Sequence, residues 1–206
     1  ALVTELLVLA NSLVATASHN AVVQAAYRLI VSGHGNKLPL LMKYGLELED
    51  LTVPGFLDQI FVRDDVETFD VLNDWGLTIA DVLELGLFVK AVENSSCRIM
   101  TSLREKGLPS RLITARHVSI ALAKGDVCML SLFVEWGIPR HTFYNVDAQS
   151  LCIAIRCNHV RALEIYIAHA GDVPAFHSAM AEVVPDLLAG QHYEMLLLLL
   201  SAGIMF

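Results

Sequence analysis

The chain has 206 residues, 55% of them apolar and only 17% charged, with a formal net charge of −8. That sign disfavours non-specific binding to nucleic acid, whose phosphates demand a basic face. Cys97, Cys128, Cys152 and Cys157 form no CxxC pair and no disulfide-dense pattern, so free thiols in a reducing, cytoplasmic setting are expected.

In chain order, residues 3–17 carry apolar side chains on nearly every face and predict a buried helix. Residues 6–27 lack Asp, Glu, Lys and Arg, but Asn11, Ser12, Thr16 and Gln24 make them too polar to cross lipid comfortably, so no membrane span is expected. Glu5 and the absence of a basic start disfavour a signal peptide. Ser18-His19-Asn20 is a polar break that can cap a following helix over 21–31. A second helix is predicted over 38–44, with Pro39 in its first turn, where a missing N–H costs least.

From there the sequence repeats. Residues 124–137 (KGDVCMLSLFVEWG) are matched by 158–171, 190–203, 95–107, 64–76 and 33–45. Each has a polar turn, a run with helical apolar spacing, and a closing small residue. Taking His34, Asp65, Ser96, Asp126, His159 and His192 as equivalent gives intervals of 31, 31, 30, 33 and 33 residues, the mark of a stacked repeat array. The closing Gly predicts a left-handed helix end with the next apolar residue packed back on the helix. Asp50 and Asp81, equivalent in GLELED and GLTIAD, are expected where a helix or turn begins. Paired helices should therefore recur, burying Leu130, Phe133, Ile153, Leu163, Ile165, Leu196 and Leu199.

The segment GDVCMLSLFVEWGIPRHTFYNVDAQSLCIAIRCNHVRALEIYIAHAGDV resembles degenerate ankyrin repeats. Ser150-Leu151-Cys152 stands where that family has Pro-Leu-His, Ala154-Ile155 where it has Ala-Ala, Asn158-His159 where it has Gly-His, and Ala170-Gly171-Asp172-Val173 at its closing motif. Val118, Ala121, Gly125-Asp126 and Gly137 hold these places one unit earlier; Gln191-His192 and Gly203-Ile204 do so in the last. The resemblance covers residues 21–206, although no unit carries Thr-Pro-Leu-His. It implies an all-α solenoid of about six helix-turn-helix repeats, one array over 1–206 with an extra helix within 1–20. It also implies β-hairpin fingers, shortened in the first units and full in the 33-residue ones. His34, His159 and His192 would each bond the backbone of a neighbouring turn.

Residues that invite chemistry are better read as structure. Repeat-related histidines lie one repeat apart, roughly 10 Å, too far to share a zinc ion bound at about 2.3 Å or less. Cys152 and Cys157 are five residues apart and share a helix face poorly. His117, Ser119 and Asp126 match a catalytic triad only as letters, and no P-loop, paired carboxylate or dinucleotide fingerprint is present. No catalytic residue, metal site or cofactor is therefore expected. Tyr44, Trp75 and Trp136 precede a closing Gly in three units, either as a partner hot spot or as packing against the next connection.

Residues 47–84 contain eleven acidic residues and one base; residues 98–161 contain nine bases and four acidic residues. That asymmetry reads either as solvated helix faces or as a bipartite partner surface. The resemblance implies a non-catalytic protein–protein interaction scaffold, a subunit or segment of a larger assembly. The alternatives are a substrate-recruiting segment of a larger enzyme and a helical-repeat reader of RNA, the latter disfavoured by negative charge and Ala, Val and Leu at helix-facing positions. The partner, another protein, is expected on Lys124, Arg156, Arg140, His141, Phe143 and Tyr144, with Arg63 in the same class of position and Phe143-Tyr144 at a finger tip. The apolar run 195–200 is expected either to pack against another subunit or to continue into further chain.

Overall fold

The computed structural model describes residues 19–53, 55–171, 174–190 and 192–204. The expected helix over 3–17, Asp172 and Val173 of the closing motif, and Gln191 lie outside the described residues. Within them the chain is all-helical, with no strand, and no helix is long and apolar enough to cross a membrane. It divides into two compact units, residues 1–102 and 103–206.

In the first unit α1 (His19–Val31), α3 (Asp58–Val62) and α6 (Leu87–Glu93) pack in series. Beside them run α2 (Pro39–Met42), α4 (Val66–Asp74) and the start of α7 (Cys97–Glu105), with the short α5 (Ile79–Glu84) against α6. Pro39 opens α2 at its first turn. In the second unit one row is α8 (Ala115–Lys124), α11 (Ala148–Arg156) and α13 (Pro174–Ala189). The other is α9 (Val127–Glu135), α12 (Val160–Ala170) and α14 (Tyr193–Ser201), with α10 (Arg140–Tyr144) seated on α8 and α12.

One backbone turn recurs along the described residues. Gly33, Asp64, Ser95, Gly125 and Asn158 all take positive φ, and the residue after each heads the next helical segment. There the chain closes the same pair of bonds, such as Asp64 N–H to Phe61 O with Asp65 N–H to Ile60 O, and Asn158 N–H to Ile155 O with His159 N–H to Ala154 O. This double bond around a left-handed residue satisfies carbonyls that a helix end leaves open. The far end of the second helices does likewise: Gly45, Gly76, Gly107, Gly137 and Gly203 are left-handed, and Leu46, Leu77, Leu108, Ile138 and Ile204 after them are buried. Asp50 and Asp81 close capping boxes with Glu47 and Thr78.

Neighbouring turns also grip each other. In the first unit the Asp64 carboxylate accepts from Arg98 N–H at 3.0 Å and Ile99 N–H at 2.9 Å, capping α7 from the preceding turn, while Ser96 Oγ donates to Phe61 O. In the second the His159 ring lies over Gly125. The resemblance implied histidine bonds to a neighbouring backbone, and His34 and His159 differ from that expectation. His34 Nδ1 meets Ser32 Oγ at 3.1 Å, and His159 Nδ1 is buried without a partner in the chain.

The expected core is largely present: Leu130, Phe133, Leu163 and Leu199 are buried, with Ile165 and Leu196 half-buried. Ile153 is a correction. It is 37% exposed, because Leu151, Cys152, Ala154 and Ile155 form the covered side of α11. The β-hairpin fingers are a second correction. Where the connections at 45–57, 76–88, 107–115 and 137–148 were to project hairpins, the chain forms Leu48–Asp50, α5, Ser110–Leu112 and α10, all short helical segments.

Candidate functional site

The residues expected to meet a partner fall in the second unit, centred on α10. Pro139 precedes this helix with extended backbone and Asn145 ends it. Asp147 then caps α11, accepting from Ser150 N–H at 2.7 Å and Ser150 Oγ at 2.9 Å. Burial raises the Asp147 carboxyl pKa, but hydrogen bonds from Ser119 and Ser150 outweigh this and hold it below the usual range.

With five residues α10 has two sides. Thr142 and Phe143 are buried, whereas Arg140, His141 and Tyr144 are exposed. The exposed three follow i, i+1, i+4 spacing and share one helix side. Phe143 must therefore be corrected: it is no projecting tip but a fully buried anchor. Its ring meets the His169 ring edge-on at 4.5 Å and lies 6.3 Å from the Tyr166 ring. Tyr166 Oη donates to Phe143 O at 3.0 Å, and His169 Nε2 donates to Ile138 O at 3.0 Å. Thus α12 holds both the side chain and the backbone of α10. Burial, with the Asp147 charge secondary, pushes the Tyr166 phenol far above its ordinary pKa, so this anchor stays a neutral donor.

Arg156 needs a similar correction. Its Nε donates to Asp186 at 2.8 Å and its Nη2 to Glu182 at 3.0 Å, so the guanidinium straps α11 to α13. These hydrogen bonds, Asp186 before Glu182, raise its pKa further. Arg63 likewise donates to Val31 O of the preceding turn. Lys124 is exposed at the end of α8. The structure thus gathers Arg140, His141 and Tyr144 on one face, buries Phe143 beneath it, and commits Arg156 elsewhere.

The tempting chemistry does not assemble. Cys152 is buried against Ala179 O and Glu182, with its thiol pushed up by burial first and the Glu182 charge second, which disfavours the reactive thiolate. Cys157 is exposed. Among the described residues no three His, Cys, Asp or Glu side chains cluster as metal ligands. Trp75 and Trp136 are half-buried and Tyr44 is exposed. A cleft of about 190 Å³ in the first unit, lined by Val53, Leu57, Leu85 and Leu87 with Asp58 and Glu84, had no signal in the sequence. Asp58 there faces Lys90 at 3.8 Å.

The chain matches no protein-family model, no curated protein and no solved structure.

Proposed function

We propose that this chain is a non-catalytic protein–protein interaction scaffold built from ankyrin-like helix pairs, acting within a larger assembly in the reducing cytoplasm. One observation carries the reading: Arg140, His141 and Tyr144 stand together on the exposed side of α10, whose other side is locked by Phe143 and the Tyr166 and His169 bonds. Arg and Tyr are the side chains that most often dominate protein interfaces. A face held rigid before binding loses little entropy when it docks. The chemistry suits a protein surface that offers carboxylates to Arg140 and an aromatic-accepting recess to Tyr144. The four free thiols support the reducing setting.

The test is photo-crosslinking from residue 144 in native lysate, read by mass spectrometry, with residue 161 as an exposed control outside α10. A protein captured from 144, absent from 161 and lost on Arg140→Ala, supports the reading. Capture that is equal at both positions counts against it.

A further inference from the structure

Two connections of the first unit meet at the cleft lined by Val53, Leu57, Leu85 and Leu87. One runs over residues 45–57, and its equivalent one repeat later runs over 76–88. Gly55 forms part of the wall, and nothing stands within 4 Å of the point where its Cβ would be. The cleft measures about 190 Å³, whereas an apolar cavity of about 150 Å³ already holds one benzene ring. Pockets for whole small molecules begin at about 300 Å³. The space therefore suits a single aliphatic side chain. Leu57 and Leu87 are buried, Leu85 is half-buried and Val53 is 56% exposed, so the apolar lining reaches from the core to the surface.

Charge says what kind of segment would deliver that side chain. The two connections carry five carboxylates, Glu47, Glu49, Asp50, Asp81 and Glu84, and no base. Glu84 lines the cleft and is exposed. Asp58 lines it too, offset by Lys90 at 3.8 Å. Arg63, the one base within 47–84, donates to Val31 O instead. The acidity is peculiar to this pair of connections. Their equivalents in the second unit, 107–114 and 137–147, carry Arg111, Arg140 and His141 against the single carboxylate of Asp147. A segment rich in Lys or Arg is attracted to the first pair, and an acidic one is repelled.

We infer that this cleft is a docking site for a basic segment of another protein. One aliphatic side chain of that segment enters between the two connections, and Lys or Arg residues on either side of it meet Glu84 and its neighbouring carboxylates. The site belongs to the first unit and does not rest on the function proposed above.

Methyl-resolved NMR of the full chain tests it, with the synthetic peptide Gly-Lys-Lys-Leu-Lys-Lys-Gly as probe. Titration at physiological salt should shift the methyl signals of Val53, Leu57, Leu85 and Leu87, while those of Leu130 and Leu163 in the second unit stay in place. Replacing the peptide's Leu by Ser should weaken binding at least about tenfold, the worth of burying that side chain. Replacing its four Lys by Glu should abolish the shifts. Glu84→Lys should weaken binding several-fold. Val53→Glu adds a carboxylate but removes an apolar wall, and it should weaken binding as well. Both substitutions fall at exposed positions, so the helical circular dichroism should be unchanged. A Ser peptide that binds like the Leu peptide, or a Val53→Glu chain that binds more tightly than wild type, would mean attraction to an acidic surface alone and overturns the inference. Shifts spread over both units, or none at millimolar peptide, overturn it too.

Discussion

At Gly125 two demands meet. Its φ of +67° suits glycine, and a Cβ there would lie 2.6 Å from the His159 ring. Gly137 has nearly the same φ, +74°, with nothing within 4 Å of its missing Cβ. Left-handed strain costs an alanine about 1 kcal/mol or more at either site. Urea unfolding should therefore show Gly125→Ala losing more stability than Gly137→Ala, the difference measuring the packing of one turn on the next. Equal losses would mean that the ring moves aside freely. His117 offers a pH-dependent counterpart. Its Nδ1 accepts from Thr114 N–H at 3.0 Å in the cap of α8, which requires that nitrogen to be unprotonated. Burial, with the Arg116 charge second, lowers its pKa below the ordinary 6.5. The unfolded chain takes up this proton first, so the stabilising contribution is complete above 6.5 and lost as pH falls through the folded value. Unfolding free energy should decline over that window, and His117→Gln should flatten the decline. An unchanged slope in the variant would remove His117 from the account.

Among the elements, the helix turns were legible in the sequence and the connections were not. A turn that needs φ > 0 followed by a helix cap leaves a local signature, such as Gly125-Asp126 or Asn158-His159, and its recurrence sets the register of every second helix. The connection at 137–148 carries Pro139, Asn145 and Asp147, which read as loop residues. In the structure they are the N-cap of α10, its C-cap, and the N-cap of α11. Such residues punctuate a short helix as readily as a hairpin, and five residues show too little periodicity to decide. The burial of Phe143 was hidden for the same reason. The Arg156 strap was hidden because its acceptors lie 26 and 30 residues onward. Phe143 and Tyr144 make the contrast measurable. Phe143→Ala should cost about 3–5 kcal/mol, as a buried aromatic truncation does, while Tyr144→Ala should change stability by no more than about 0.5 kcal/mol. Comparable losses at both positions would contradict the two-sided description of α10.

On the scale of the whole molecule, charge separates the two units. Residues 1–102 hold thirteen acidic residues and six bases, residues 103–206 nine and eight. Both units are net acidic, the first far more so, and a partner with acidic groups is therefore repelled less at the second unit than at the first. The contact proposed on α10 lies in that less acidic unit, where Arg140 and Tyr144 are exposed and Phe143 is buried. The decisive measurement is the dissociation constant of the protein crosslinked through residue 144, titrated against wild-type chain and against the double variant Arg140→Ala/Tyr144→Ala. The account predicts binding more than tenfold weaker in the variant, with its helical circular dichroism and melting temperature hardly changed. An unchanged dissociation constant in a folded variant would contradict it.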